Sequence, residues 1–344
     1  MAIGAIERFM NDYAFDHHAV PAVKVELNGQ SVAVIGSGPG GLAAADELAQ
    51  LGYDVTIFES LLSPGGLLVN GIPAFNLEKR YVERRINLLV ARGVKFPLGV
   101  RVGWDVSLAA LRQDFSAVFV AVGAQRPKPL DLPGAELRGV VPALPFLIEK
   151  NVSSSALDSE PVDVAGRRVA VLGGGDTAMD CLRTALRSGS CEAVCLYRRD
   201  PANMPGSRKE YANALEEGAR FEFLVNPVEI QSDPTGAVAA VRCVRMELGN
   251  ADASGRRKPR PIPGSEFTVS VDVLLVAYGF DPVPFPPCRD FVVLATDEWG
   301  GLKIDEHQMT SLPGVAPPAA RAWWCMRYAT RVKPRKGSIV FCRP

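Results

Sequence analysis

Length, composition and charge place this chain among globular proteins. Its 344 residues suffice for two domains with full cores, and 47% hydrophobic and 22% charged residues with a net charge of zero are ordinary for that class. No run approaches the ~18 uncharged apolar residues of a membrane span, and the charges from Glu7 onward argue against a signal peptide. The seven cysteines form no C-x-x-C pair. We therefore predict reduced thiols, a cytoplasmic location and no metal site, with a metal or redox site as the alternative.

The chain is predicted to begin with a helix over residues 3–13 and a polar linker over residues 17–28. A strand–turn–helix–strand unit follows. Residues 32–35 and 55–58 are apolar runs typical of strands buried on both faces, and residues 42–51 between them have helical character. The turn before this helix has G-x-G-x-x-G spacing and supplies the candidate contacts Gly36, Ser37, Gly38, Pro39, Gly40 and Gly41.

This spacing is typical of a dinucleotide site. The first glycine permits a tight bend, the second lets the backbone approach a pyrophosphate, and the third lets helix and strand pack closely. The free N–H groups at the start of the helix then attract the phosphate. Glu59 ends the second strand, where an acid can accept hydrogen bonds from both ribose hydroxyls. We interpret the unit as a dinucleotide site, and an unliganded turn is the alternative.

Two loops after this unit are interpreted as further ligand contacts. Ser63-Pro-Gly-Gly-Leu-Leu and Asn70-Gly-Ile-Pro-Ala-Phe contain glycines that allow close approach of the backbone to a flat ligand, and plain surface turns are the alternative. Residues 77–91 predict a charged helix and residues 94–102 a strand or strand pair. An apolar strand then ends at Gly123, at the sheet edge where ligands lie in doubly wound folds.

A second unit of the same kind begins at Arg167, after a crossover over residues 125–165 that contains one helix near residues 143–149. The apolar run at residues 169–172 leads into G-x-G-x-x-A spacing and a second helix. The candidate contacts in this turn are Gly173, Gly175, Asp176, Thr177 and Ala178. We expect Asp176 and Thr177 to cap the new helix, whose N–H groups would again meet a phosphate.

The second unit ends differently from the first. Its second strand, residues 193–197, leads into Arg198 and Arg199 instead of an acid. Guanidinium groups bind a 2′-phosphate that an acid would repel, which favours NADP over NAD. Arg208 is a third candidate cation. A solvated strand end and an ordinary helix surface are the alternatives.

The two strand ends together predict two nucleotides. Glu59 suits FAD, whose adenosine ribose has no 2′-phosphate, and the arginine pair suits NADPH. The chain would then be a flavoprotein in which the nicotinamide delivers hydride to the flavin. Because the cofactors carry this chemistry, no side chain is assigned a catalytic role.

The predicted fold is α/β, with two Rossmann-like dinucleotide-binding domains and the NADPH domain inserted into the FAD domain. A buried strand at residues 271–277 returns the chain to the first domain, and the basic, proline-rich residues 250–263 form a hairpin or loop. This basic stretch lacks the aromatic residues of a nucleic-acid site, so we expect no nucleic-acid or membrane partner. The predicted divisions are an N-terminal helix and linker (1–30), the FAD domain (31–150 and 276–315), the NADPH domain (151–275) and a basic tail (316–344).

Several of these segments resemble the small subunit of bacterial glutamate synthase. The matching stretches are Gly36-Ser-Gly-Pro-Gly-Gly-Leu, Gly65-Gly-Leu-Leu, Gly71-Ile-Pro-Ala-Phe, Gly173-Gly-Gly-Asp-Thr-Ala-Met-Asp-Cys, Tyr197-Arg-Arg-Asp and Asn203-Met-Pro-Gly-Ser-Arg. The resemblance extends over residues 3–315. It implies FAD contacts at Gly36–Gly41, Glu59, Gly66, Leu67 and Val102, and NADPH contacts at Gly175–Ala178, Arg198, Arg199 and Arg208.

The resemblance also implies a partner. Such subunits oxidise NADPH on FAD and send electrons through iron–sulfur clusters to a large subunit that makes glutamate from glutamine and 2-oxoglutarate. In that family a cysteine-rich cluster domain precedes the segment matching residues 2–9, where this chain starts, so we expect the cluster ligands to be absent and the electrons to leave by another route. Similar modules feed dihydropyrimidine dehydrogenase, so a diaphorase-like module for another reductase remains open, as does an inactive remnant.

The last 29 residues, 316–344, depart from the family pattern. After Ser311-Leu-Pro-Gly-Val the family continues into a glycine- and aspartate-containing flavin segment and a final helix, whereas here the chain has seven cations and no acid. We expect this tail to be disordered and hypothesise a frameshift near Val315. The codons of Trp323-Trp-Cys-Met, read one frame on, would spell a Val-Val run like that of the family's final helix. A genuine basic tail that binds acidic partners is the alternative.

Overall fold

The computed structural model describes residues 3–20, 25–152, 161–251, 257–282, 294–306 and 309–317. The helices are α1 (Ile3–Asp16), α2 (Pro39–Gln50), α3 (Leu67–Asn70), α4 (Lys79–Ala91), α5 (Leu108–Asp114), α6 (Ala143–Asn151), α7 (Asp176–Arg187) and α8 (Arg208–Glu216). The strands are β1 (Ser31–Ile35), β2 (Asp54–Phe58), β3 (Ala117–Val120), β4 (Arg126–Pro127), β5 (Val140–Pro142), β6 (Arg168–Leu172), β7 (Glu192–Tyr197), β8 (Arg220–Phe223), β9 (Val225–Ser232), β10 (Val238–Ala251), β11 (Arg257–Ser270), β12 (Val273–Val276), β13 (Phe280–Asp281) and β14 (Val315–Ala316).

These elements divide into two compact units. Unit 1 comprises the described parts of Met1–Gly66, Lys79–Gly123 and Pro284–Pro344, and unit 2 those of Leu67–Glu78 and Ala124–Val283. The division after Gly123 falls earlier than the predicted boundary at residue 150. The reason is that β5 pairs in parallel with β12, so β5 and the helix after it belong to the second sheet.

Unit 1 contains a parallel sheet with the strand order β14-β3-β1-β2. Its central strand β1 pairs with β2 and β3, so that Val34 lies between Ile57 and Phe119. Burial from both faces explains why β1 is a continuous apolar run without alternation. The strand predicted over residues 94–102 forms only isolated bridges in the described chain, with Lys95 and Leu98 beside β2.

Unit 2 has two larger sheets packed face to face, and a small two-stranded sheet in which β4 pairs with β13. The parallel sheet has the order β5-β12-β6-β7-β8, and an antiparallel sheet has the order β11-β10-β9. Along β6, Val169 and Val171 pack in one core with α6 and α7, whereas Ala170 and Leu172 pack in the other core with the antiparallel sheet. Each face of the parallel sheet is therefore covered, by helices on one side and by strands on the other.

Several predicted elements differ in extent from those observed. Residues 220–232 form two strands, β8 and β9, which are divided at Leu224, whose φ is 55°. Of the hairpin or loop predicted at residues 250–263, residues 257–263 belong to the long strand β11. In the predicted tail, Ala316 pairs with Phe119 of β3. Residues 318–344 lie outside the described part of the chain, so their disorder and the frameshift remain predictions.

None of the helices in the described part of the chain combines the length and the apolar character that a bilayer span requires.

Candidate dinucleotide-binding sites

The first glycine-rich turn of unit 1 depends on glycine for steric reasons. Gly36 has φ 99°, and a Cβ on it would lie 2.6 Å from the carbonyl oxygen of Ala121. A Cβ on Gly41 would lie only 1.9 Å from the carbonyl oxygen of Gly36, which shows how closely the helix packs on the strand end. By contrast, a Cβ on Gly38 would meet no described atom within 4 Å. The middle glycine therefore borders open space.

Helix α2 starts directly at this turn. Its cap is Gly38, which has extended backbone and no side chain to accept a hydrogen bond from the helix, and Pro39 occupies the first turn. Proline suits that place because it has no N–H to leave unpaired. The remaining N–H groups and the helix dipole make this end of α2 a ready site for an anion.

Glu59 lies at the centre of a buried hydrogen-bond network behind the turn. One carboxylate oxygen, Oε2, accepts from the Ser37 backbone N–H at 2.9 Å and from the Ser37 hydroxyl at 2.5 Å. The other, Oε1, accepts from the Leu61 N–H at 2.9 Å and from the Ser60 hydroxyl at 3.2 Å. The sequence predicts that this carboxylate accepts hydrogen bonds from both hydroxyls of a ribose. The structure instead gives it a full set of internal partners, of which the exposed Ser60 hydroxyl is the most distant.

The predicted contact Gly66 lies at the same turn. The Gly65 N–H donates to the Ser37 hydroxyl at 2.9 Å, and a Cβ on Gly66 would lie 2.9 Å from the Cα of Gly38. Val102 is a different case, because its side chain is buried. The side chain of Val102 therefore belongs to the hydrophobic core of unit 1.

Leu67 begins the segment of the chain that belongs to unit 2. The backbone of this segment is held to α6, since the Asn151 side chain donates to the Gly71 carbonyl at 2.9 Å. Its Phe75 ring lies under the guanidinium of Arg183 in α7, at 4.1 Å. The segment predicted to approach a flat ligand is thus packed against two helices of unit 2.

The second glycine-rich turn repeats the geometry of the first within unit 2. Gly173 has φ 133°, and a Cβ there would lie 2.4 Å from the carbonyl oxygen of Ala277. A Cβ on Gly174 would meet the Tyr197 ring at 2.6 Å. Gly175 caps α7 with extended backbone, and a Cβ on it would meet no described atom within 4 Å. Ala178 is fully buried beneath the turn.

The prediction that Asp176 and Thr177 cap α7 is wrong, because the capping residue is Gly175 and no side-chain hydrogen bond caps this helix. The carboxylate of Asp176 accepts the N–H of Ser207 at 2.7 Å. Ser207 in turn caps α8, because its hydroxyl accepts the Glu210 N–H at 3.1 Å. The N–H of Gly206 also donates to the Gly174 carbonyl, at 2.8 Å. Asp176 therefore ties the loop before α8 onto the turn, while Thr177 lies half-buried in the first turn of α7.

The three predicted cations lie at the ends of their elements. Arg198 and Arg199 follow the last residue of β7, and Arg208 is the first residue of α8. Arg198 and Arg208 are exposed, and among the described residues their side chains form no hydrogen bond or ion pair. Arg199 is half-buried, and its Nε donates to the carbonyl oxygen of Arg257 at 3.3 Å. Among the described residues, Arg198 and Arg208 therefore have no acidic partner within ion-pair distance.

Sequence reasoning missed an ionic cluster beside the second turn. Arg183, 5% exposed, donates to Glu210 at 2.5 Å, to Glu217 at 2.8 Å and to Asn76 at 2.8 Å. The Asn76 amide also donates to Asp180 at 2.5 Å. Burial raises the pKa of Asp180 to about 7, and the neighbouring Glu210 acts in the same direction. Asp180 and Arg183 lie three residues apart in α7, a spacing that puts both on one helix face and is readable from the sequence. Their partners come from distant parts of the chain and could not be predicted in this way.

The described cysteines are unpaired: Cys181, Cys191, Cys195 and Cys243. Burial raises the pKa of Cys195 to about 12, so that its thiol stays protonated while it lies 3.0 Å from the Gly173 carbonyl oxygen. In the described residues no group of three or more histidine, cysteine or acidic side chains could hold a metal ion.

Comparison with known proteins supports the same assignment of fold and family. The chain is 45% identical over 322 residues to the glutamate synthase (NADPH) small chain of Azospirillum brasilense. The aligned residues make up 92% of this chain and 66% of that one. It is 41% identical over 289 residues to the NADPH-Fe(3+) oxidoreductase subunit beta of Geobacter sulfurreducens, covering 81% of this chain and 42% of that one. The chain therefore spans less than two thirds of the length of either relative.

Among solved structures, FprA of Mycobacterium tuberculosis in complex with NADPH aligns with a TM-score of 0.70 at 23% identity, covering 84% of this chain and 78% of that one. This likeness confirms the predicted α/β fold. A family model described as pyridine nucleotide-disulphide oxidoreductase matches residues 30–315. The predicted resemblance and the predicted enzyme class are thereby confirmed, and the chain belongs to the pyridine nucleotide-disulphide oxidoreductase family, as a homologue of glutamate synthase small chains.

Proposed function

We propose that this chain is an oxidoreductase that takes hydride from NADPH onto FAD and passes electrons to an iron–sulfur partner. One observation carries the proposal. The two units share a glycine-rich turn of the same geometry, yet the strand after the turn ends in a buried acid in unit 1 and in two arginines in unit 2. Two similar turns with opposite charge at the ribose end suit two different nucleotides.

The first turn and its surroundings fit FAD. The start of α2 and the open space at Gly38 would receive the pyrophosphate, with Ser37, Pro39 and Gly40 beside it. Glu59 would receive an adenosine ribose hydroxyl if that hydroxyl replaced the Ser60 hydroxyl, which is the exposed and most distant partner of the carboxylate. The loop at Gly65–Gly66, which lies on the turn, would contact the same ligand. Unit 1 would then be the FAD domain.

The second turn and its surroundings fit NADPH. The start of α7, with Gly175 and open space beside it, would receive the pyrophosphate. Arg198, Arg199 and Arg208 would supply charge-assisted hydrogen bonds to the 2′-phosphate, which an acid at the strand end could not. Unit 2 would then be the NADPH domain. When bound, the two cofactors supply the redox chemistry, and the protein orients them.

The electron acceptor is proposed from the relatives. A glutamate synthase large subunit is the first candidate, because a glutamate synthase small chain shares 45% identity with this chain. Another iron–sulfur acceptor is the second, favoured by the relative whose name describes an NADPH-Fe(3+) oxidoreductase. The free cysteines of the described residues support a cytoplasmic location for such an assembly.

A reductive titration tests the proposal. We expect the purified protein to show the visible absorbance of oxidised flavin, and anaerobic NADPH to bleach it at far lower concentrations than NADH. Protein reconstituted with FAD that shows neither binding nor bleaching would contradict the proposed oxidoreductase. Adding a glutamate synthase large subunit with glutamine and 2-oxoglutarate separates the two acceptors, since glutamate forms with the first acceptor only.

A further inference from the structure

The long hairpin of β10 and β11 extends past its own sheet. Strand β9 pairs with β10 only as far as Val225 opposite Arg245. Strands β10 and β11 continue pairing beyond that point, to Ala251 opposite Arg257. We call the described residues 246–251 and 257–261 the arm. In the described chain the arm is a two-stranded ribbon.

The arm is tied to the carboxyl end of β7, where the predicted 2′-phosphate cations lie. The Met246 N–H donates to the Leu224 carbonyl at 2.7 Å, and the Leu224 N–H donates to the Arg199 carbonyl at 3.1 Å. The Nε of Arg199 then donates to the Arg257 carbonyl at 3.3 Å. Leu224 adopts φ 55°, a left-handed conformation that a leucine keeps only where its surroundings impose it. Three hydrogen bonds therefore fix the arm beside Arg199.

The arm adds positive charge that the described chain leaves uncompensated. Arg257 and Lys258 are exposed, and their side chains form no hydrogen bond or ion pair with any described residue. Arg260 is different, since its guanidinium lies against Gly249 and its register partner is Glu247. Like charges held together repel unless an anion lies among them. Arg257, whose carbonyl contacts Arg199, thus carries a further cation on the strand that lies beside the end of β7.

We propose that the arm forms one wall of the 2′-phosphate site, with Arg257 as a specificity-determining residue. The proposal rests on the proposed function, in which the arginine pair binds NADPH. The Arg257 carbonyl holds Arg199 by its Nε, which leaves both terminal nitrogens of that guanidinium for bidentate contact with a phosphate. The Arg257 side chain adds a further cation. Ordering Arg199 in advance also reduces the entropy lost on binding.

The test measures binding of adenosine 2′,5′-bisphosphate and of 5′-AMP to the full chain by calorimetry, so that neither flavin nor activity enters. We expect Arg257→Ala to weaken binding of the bisphosphate about fivefold, the range of an exposed charge pair. A shortened arm, with residues 249–258 replaced by Asn-Gly, removes the carbonyl as well and should weaken binding by roughly tenfold or more. Binding of 5′-AMP should change less than about twofold in both variants.

Control variants separate this inference from the proposed function. Arg167→Ala removes an exposed arginine just before β6, at the amino-terminal end of the parallel strands and so at the opposite end from Arg198, and should leave binding of both ligands unchanged. If the parent chain shows no preference for the 2′-phosphate, or Arg199→Gln leaves the preference intact, the proposed NADPH site itself is wrong. If Arg199→Gln abolishes the preference but both arm variants retain it, the role of the arm is overturned and the NADPH site stands. Equal loss of both ligands in the arm variants would show a structural role only and would also overturn it. If the shortened arm does not fold, Arg257→Ala decides alone.

Discussion

Replacing Ser37 with alanine should loosen the first glycine-rich turn more than any surface change nearby. The fully buried Ser37 hydroxyl donates to Glu59 at 2.5 Å and accepts the Gly65 N–H at 2.9 Å. Alanine keeps the Cβ and removes both hydrogen bonds, so little cavity is created. The backbone N–H of Ser37 and that of Leu61 would still donate to the carboxylate.

The two lost bonds set the expected magnitude. A buried hydrogen bond to a charged acceptor contributes about 1.5–3 kcal/mol, and a buried N–H left without an acceptor costs about 1–3 kcal/mol. Allowing for relaxation of the Gly65 loop, we expect Ser37→Ala to lower the free energy of unfolding of unit 1 by about 2–4 kcal/mol. Ser60→Ala is the matched control. The Ser60 hydroxyl is exposed and 3.2 Å from the same carboxylate, so we expect its loss to cost less than about 1 kcal/mol.

The assay must report on unit 1 separately, because a chain with two units need not unfold in one step. Hydrogen exchange followed by mass spectrometry on peptides covering β1 and β2 gives that separation. Exchange in β1 should rise strongly in Ser37→Ala and little in Ser60→Ala, with β6 and β7 unchanged in both. Equal, small effects of the two substitutions would refute the reasoning that Ser37 organises the turn.

Two further predictions concern the pair of glycine-rich turns and the ionic cluster beside the second turn. Gly175→Ala should leave the melting temperature within a few degrees, because its Cβ meets open space, yet weaken NADPH binding by obstructing the pyrophosphate. Gly41→Ala, whose Cβ would lie 1.9 Å from the Gly36 carbonyl oxygen, should instead destabilise unit 1 itself; thermal unfolding and NADPH titration of both variants check the contrast. For Asp180, the pKa raised to about 7 means that the folded protein binds more protons than the unfolded chain between the ordinary value of 3.8 and 7, so its contribution to stability falls as pH rises through that window. Asp180→Asn should remove this fall in the free energy of unfolding, which amounts to at most roughly 4 kcal/mol. Urea unfolding of both proteins from pH 4 to 8 measures the fall, and parallel pH profiles of the two proteins would contradict the prediction.

Much of the candidate sites could be predicted from the chain because local geometry demands particular residues. Gly36 and Gly173 adopt positive φ against a neighbouring carbonyl oxygen, a combination that only glycine accepts without strain. The apolar runs before them are buried on both faces, so they lack alternation and stand out in the sequence. The apolar run of each second strand is recognisable in the same way, so the positions of Glu59 and Arg198 directly after these strands could be predicted.

Partners from distant parts of the chain could not be predicted in this way. The sequence predicts a ribose contact at Glu59, but the hydrogen bonds from Ser37 and Leu61 to its carboxylate are seen only in the folded chain. The sequence predicts that Asp176 caps α7. In the structure its carboxylate instead accepts a hydrogen bond from the Ser207 N–H, which the loop before α8 brings to it. Hydrogen bonds are specific over about 3 Å and independent of sequence separation, so a local pattern carries no information about such pairs.

The two units illustrate the same division. By itself the sequence determined that two glycine-rich turns exist, which charge follows each, and that the fold is α/β. The tertiary structure decided that β5 joins the second sheet, that Leu67–Glu78 belongs to unit 2, and that the basic residues after 256 form a strand beside Arg199. The physical reason is that backbone conformation is set by neighbours in sequence, whereas strand pairing and charge clustering are set by neighbours in space.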